Sequence, residues 1–152
     1  MKNRSVVLTL VTCLVCLSPC FAQDWAMGRW KLNETNSKFL PGVAKPFTVV
    51  YEAAGDKIKC TKDGVDGQGK PWRTVWVGKV DGKYYPLTGD PEGDMRAYKK
   101  VNDREMQEIT GKDGNVTRKN RVVNNGESIS FITNRTDPEG EKMYSVGVYE
   151  KQ

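Results

Sequence analysis

The chain has 152 residues, with 24 Lys and Arg against 19 Asp and Glu, a formal net charge of +5 and no histidine. The missing histidine removes the commonest general base and the commonest zinc ligand, and it excludes Ser-His-Asp and Cys-His catalysis. The mild, well-mixed positive balance requires neither nucleic acid nor an anionic membrane as partner.

Residues 1–22 read as a cleavable secretory signal peptide. Lys2 and Arg4 give a positive start, Val6 to Leu17 is uncharged and apolar, and Ser18, Pro19 and Cys20 break the run before Ala22. That order is the layout of an export signal. About a dozen apolar residues are too few for a membrane span, which needs roughly 20. Cleavage near Ala22 is preferred to lipid attachment at Cys20, because Pro19 does not suit a lipoprotein signal. The working molecule is then 23–152, one domain, exported to a bacterial periplasm or secreted. Its balance falls to 22 basic against 19 acidic residues, or +3, once Lys2 and Arg4 leave. Three of the four cysteines leave as well, so Cys60 has no intrachain partner and reads as a small core residue.

From Gly28 onward, short alternating runs are cut by turn signals. Phe47, Val49 and Tyr51 share one face, as do Ile58 and Cys60, then Trp72, Thr74, Trp76 and Val80, then Met95, Ala97 and Val101. Later come Val116, Arg118 and Val122, then Ile129 and Phe131, then Tyr144, Val146 and Val148. Period-two alternation marks strands with one buried face. Eight breaks, among them Gly55-Asp56, Asp81-Gly82, Asp113-Gly114 and Asn125-Gly126, are the pairs that tight hairpins accept. Ser37 to Pro46 reads as a loop. The expectation is an all-β fold, an up-and-down antiparallel barrel of about nine strands, because closure hides the edges of a sequential meander. A sandwich is the alternative.

Gly28-Arg29-Trp30 matches the Gly-x-Trp opening of lipocalins and fatty-acid-binding proteins. The run GRWKLNETNSKF and the closing Val148-Tyr149-Glu150-Lys151 are similar to the two ends of that second family. The stretches DGKYYPLTGDP and GVDGQGKPW resemble a group of uncharacterised exported bacterial lipocalin-like proteins. The resemblance implies a calycin-like barrel and a structural role for Gly28 and Trp30, with Trp30 packed across one end. It also matches Arg121 and Tyr149 to ligand-binding positions. Gly147 stands where the family has an arginine that helps to hold a carboxylate.

The expected function is binding of a small apolar or lipid-like molecule, without catalysis and without a cofactor. Trp72, Trp76, Tyr51 and Phe131 are candidates to line an apolar cavity of at least ~300 Å³; plain core packing is the alternative. Arg121 is the candidate for orienting an acidic head if it points inward, and alternation with Lys119 leaves an outward orientation equally open. Asp90, Glu92 and Asp94 lack the longer ligand series of a calcium loop, so no metal is expected there. Asp63 and Asp66 read as turn residues. Arg118 to Arg121 is a small basic cluster, but export counts against nucleic acid. Asn33, Asn115 and Asn134 begin glycosylation motifs that matter only in a eukaryotic secretory route. The other class of function is an interaction module or inhibitor. It would bind a protein through loops 63–70 and 84–93, with Tyr84, Tyr85 and Pro86 as anchors.

Overall fold

The computed structural model describes residues 26–136 and 139–152, so the expected signal segment and its cleavage point lie outside the described residues. The described chain is all-β, with ten strands: β1 (Gly28–Leu32), β2 (Lys45–Ala54), β3 (Lys57–Val65), β4 (Pro71–Gly78), β5 (Tyr85–Asp90), β6 (Gly93–Asn102), β7 (Glu105–Lys112), β8 (Asn115–Asn124), β9 (Ser128–Thr136) and β10 (Lys142–Lys151). Each pairs antiparallel with its sequence neighbour, and β1 pairs with β10, so the meander closes into a barrel without edges. Ten strands replace about nine because a loop, 33–44, separates β1 from β2. Most of the proposed 84–93 binding loop is strand β5. No helix among the described residues is long and apolar enough to cross a membrane.

Alternation places one face of each strand in the lumen. Trp30, Val49, Tyr51, Cys60, Trp76, Tyr98, Val122, Ile129 and Tyr149 form its apolar part. Trp30 is buried, and its indole N–H donates to the Ala26 carbonyl at 2.8 Å. Trp76 donates to the Arg96 carbonyl at 2.9 Å and packs edge-on against Tyr98, ring centres 4.6 Å apart.

Four alternation assignments need correction; on β8 a register shift leaves Val116 exposed while Val122 stays inside. A register shift between Pro46 and Thr48 turns Phe47 outward while Val49 and Tyr51 stay inside. On β6 the lumen takes Arg96 and Tyr98, and Val101 is exposed. On β10 it takes Ser145 and Tyr149, and Tyr144 is exposed. In β6 and β10 the more polar face points inward, so an apolar-in rule selects the wrong face.

Candidate functional site: a charged network beside a small cavity

Lys62 on β3 and Glu108 on β7 meet across the lumen, Nζ to Oε2, at 2.6 Å, both side chains buried. The same carboxylate accepts the Tyr98 hydroxyl at 2.5 Å and the Asn120 amide at 2.7 Å, with the Arg96 guanidinium 3.9 Å away. Asn120 in turn accepts the Thr133 hydroxyl at 2.6 Å. A second knot adjoins the first. The buried Asp90 carboxylate takes Arg96 at 3.2 Å and Arg118 at 2.5 Å, and Arg118 also reaches Glu92 at 2.6 Å.

Burial alone would push the Glu108 carboxyl up. Arg96, then Lys62 and Arg118, outweigh it and hold the group well below the ordinary carboxylate range. Burial wins at Lys62 and lowers its ammonium, with Glu108 opposing. Burial raises the Tyr51 and Tyr98 phenols well above their ordinary value, and burial followed by Glu108 raises Tyr149. These tyrosines are therefore neutral, and Tyr98 and Tyr149 act as donors. The buried network holds three cations (Lys62, Arg96, Arg118) and two carboxylates (Asp90, Glu108), a net +1. Glu92, half-exposed at the rim, supplies the compensating charge.

Beside this network lies a cavity of about 50 Å³. Its lining combines Phe39, Val49, Trp72, Phe131 and Tyr149 with Lys62, Glu108, Arg118, Asn120, Thr133 and Ser145. At roughly 10–15 Å³ per water, the space holds only a few waters. Among the described residues this cavity falls far short of the expected ~300 Å³, because the Lys62–Glu108 strut, Arg96, Tyr98 and Trp76 occupy the lumen. The 33–44 loop closes the cavity from outside, with Phe39, Val43 and Ala44 in its lining. Lys38 and Val146 exchange backbone bonds at 2.8 and 2.7 Å, and the Leu40 N–H donates to Ser145 Oγ at 3.1 Å.

The sequence candidates divide. Trp72, Phe131 and Tyr149 line the cavity; Trp76 and Tyr51 pack the core away from it. Arg121 is corrected: it lies on the outer face, about half exposed, holding Glu105 through two bonds of 2.7 and 2.9 Å. Asn120, one position earlier, takes the inward place, because a β-strand turns successive side chains to opposite faces. A side chain at Gly147 would force its neighbours to shift, since an added Cβ would lie 2.9 Å from the Tyr149 ring and 3.0 Å from Phe39. Tyr149 donates to the Pro46 carbonyl at 3.0 Å. Asp90 and Glu92 are engaged by arginines, and Asp63 pairs with Arg73 at 2.9 Å.

Lys62, Arg96, Glu108 and Asn120 escaped the reading of the sequence. Their signal was present: Lys62 continues the Ile58–Cys60 face, and Glu108 lies between Met106 and Thr110 on one face of β7. Opposite charges at inward positions of two strands mark a pair across a lumen.

The fold and site define a closed ten-strand meander barrel, compatible with a calycin-like architecture, with a charged interior. No protein-family model, curated protein or solved structure matches the chain significantly.

Proposed function

We propose that the protein is an exported, non-catalytic barrel that holds a compact ligand in the interior cavity. The ligand has a small apolar body and an anionic, hydrogen-bond-accepting head. The observation that supports this most is Trp72: it is one of the residues lining the cavity, and its buried indole N–H has no acceptor among the described residues. A buried donor without a partner costs about 1–3 kcal/mol, which a ligand oxygen would recover. The buried part of the network holds three cations against two carboxylates, so an anionic ligand would share the balancing role that Glu92 plays at the rim. The volume argues for a ligand of about four to six non-hydrogen atoms, well below a long-chain lipid.

Native mass spectrometry of protein purified from its own host, before and after extraction, tests this reading. A small acidic adduct lost on extraction is the expected result. A long-chain lipid adduct, or none at any ligand concentration, contradicts it.

The interaction-module reading keeps one observation in its favour. Tyr84 is exposed and borders a surface groove with Met95, Gly111 and Asn115. Tyr85 is not available as an anchor, because it packs edge-on against Trp76.

A further inference from the structure

The barrel is not equally zipped all the way round. Strands β8 and β9 run over Asn115–Asn124 and Ser128–Thr136, yet among the described residues they pair only from Asn120↔Thr133 to Asn124↔Ile129. Beyond Asn120, β8 stays paired with β7, and beyond Thr133, β9 stays paired with β10. The two strands therefore part company at one end. The cause is local: Thr110 pairs with Arg118 and Gly111 with Val116, so Thr117 is an extra residue that bends β8.

The split opens beside the cavity. Its walls are Val116 to Lys119 on one side and Thr133 to Arg135 on the other. Arg118 and Thr133 line both the split and the interior cavity. Continued in register, Arg118 would face Arg135. Instead both arginines hold one carboxylate from a third element: Glu92, at the β5–β6 turn, lies 2.6 Å from Arg118 and 3.5 Å from Arg135. Lys112 donates to the Pro91 carbonyl at 3.1 Å and steadies that turn. The 33–44 loop, by contrast, is tied down by the backbone bonds of Lys38 to Val146 and the bond of Leu40 to Ser145.

We propose that the β8–β9 split is the route by which a ligand reaches the interior cavity, and that Glu92, bridging Arg118 and Arg135, is the latch that closes it. The inference rests on the reading of the cavity as a ligand site. Glu92 and Arg135 are both about half exposed, and such pairs are individually weak, so the latch opens reversibly from the Arg135 side. Opening also removes the compensating charge from Arg118, which leaves the buried network net positive as an anion arrives.

The test measures access, not affinity. Val49 is fully buried and lines the cavity, whereas Cys60 is fully buried and does not. In a Val49→Cys protein, methyl methanethiosulfonate, a small neutral thiol reagent, reports cavity access at position 49, and Cys60 reports global unfolding in the same molecule. Glu92→Gln and Arg135→Gln are each expected to speed labelling at position 49 at least tenfold while Cys60 is unchanged. A disulfide between Lys119→Cys and Asn134→Cys, which continues the β8–β9 register, is expected to slow it by a similar factor. Labelling at 49 that is indifferent to all three changes, or that tracks Cys60 throughout, overturns the proposal. Because the reagent is not the ligand, failure to find a natural ligand leaves this result intact, and the two readings fail separately.

Discussion

Glu108→Gln removes the negative charge at the centre of the barrel while keeping the side chain's size. The carboxylate accepts three hydrogen bonds, from Lys62, Tyr98 and Asn120, and faces Arg96. In the variant the Lys62 ammonium is left against the Phe131 ring, 4.4 Å from its centre, without a counterion. Removing one member of a buried pair typically costs about 3–5 kcal/mol, because the other charge stays buried and uncompensated. That is a large share of the roughly 5–15 kcal/mol that holds a domain together. Urea unfolding at neutral pH, followed by tryptophan fluorescence, should show a midpoint lowered by about 2 M with an unchanged slope. Adding Lys62→Met should recover at least half of the loss, since the orphaned charge goes with it. A loss under about 1 kcal/mol, or no recovery in the double variant, refutes the account of a paired, desolvated strut.

The same carboxylate sets a pH dependence. Its folded pKa is held below its ordinary value of 4.5, so its contribution is fully present above that pH and is lost as pH falls below it. Glu108→Gln should flatten the acid limb of a stability-versus-pH curve. Gly89→Ala should cost about 1–3 kcal/mol in urea unfolding, because Gly89 has φ +78° and an added Cβ would lie 2.0 Å from the Arg73 carbonyl oxygen. Gly147→Arg, which restores the fatty-acid-binding pattern, should destabilise by about 1–3 kcal/mol through overpacking against Phe39 and Tyr149, without creating a carboxylate site. Arg121→Ala should leave the unfolding midpoint and any ligand affinity unchanged, since this side chain lies outside with Glu105; a clear fall in affinity would return it to the site.

The meander was legible in the sequence because Asp-Gly and Asn-Gly pairs mark hairpins whatever the barrel contains. The interior was not. Expecting apolar residues inside works for β4, where Trp72, Thr74 and Trp76 face the lumen as anticipated. It fails for β6, where Arg96 and Tyr98 are buried and the apolar Met95–Ala97–Val101 set lies on the other face. Charges enter a core only in matched sets, and a match between β3 and β7 spans 46 residues of sequence, beyond the reach of local periodicity. Arg121 went astray for a related reason: similarity placed an arginine near the right strand, but a shift of one residue exchanges the two faces of a sheet. Trp72 and Phe131 were found because aromatic residues on inward faces follow the ordinary rule, whereas Tyr149, on the face that alternation turned outward, was reached only through the resemblance of the closing Val148-Tyr149-Glu150-Lys151.

The central claim is that a charged lumen leaves room only for a compact anion. Calorimetric titration with straight-chain carboxylates, from acetate through butyrate to palmitate, tests it most directly. The account predicts measurable binding for the shortest members, tightest at about four to six non-hydrogen atoms, and a loss of binding as the chain outgrows the cavity. Affinity that climbs steadily to palmitate would contradict it, since that requires a lumen emptied of the Lys62–Glu108 strut.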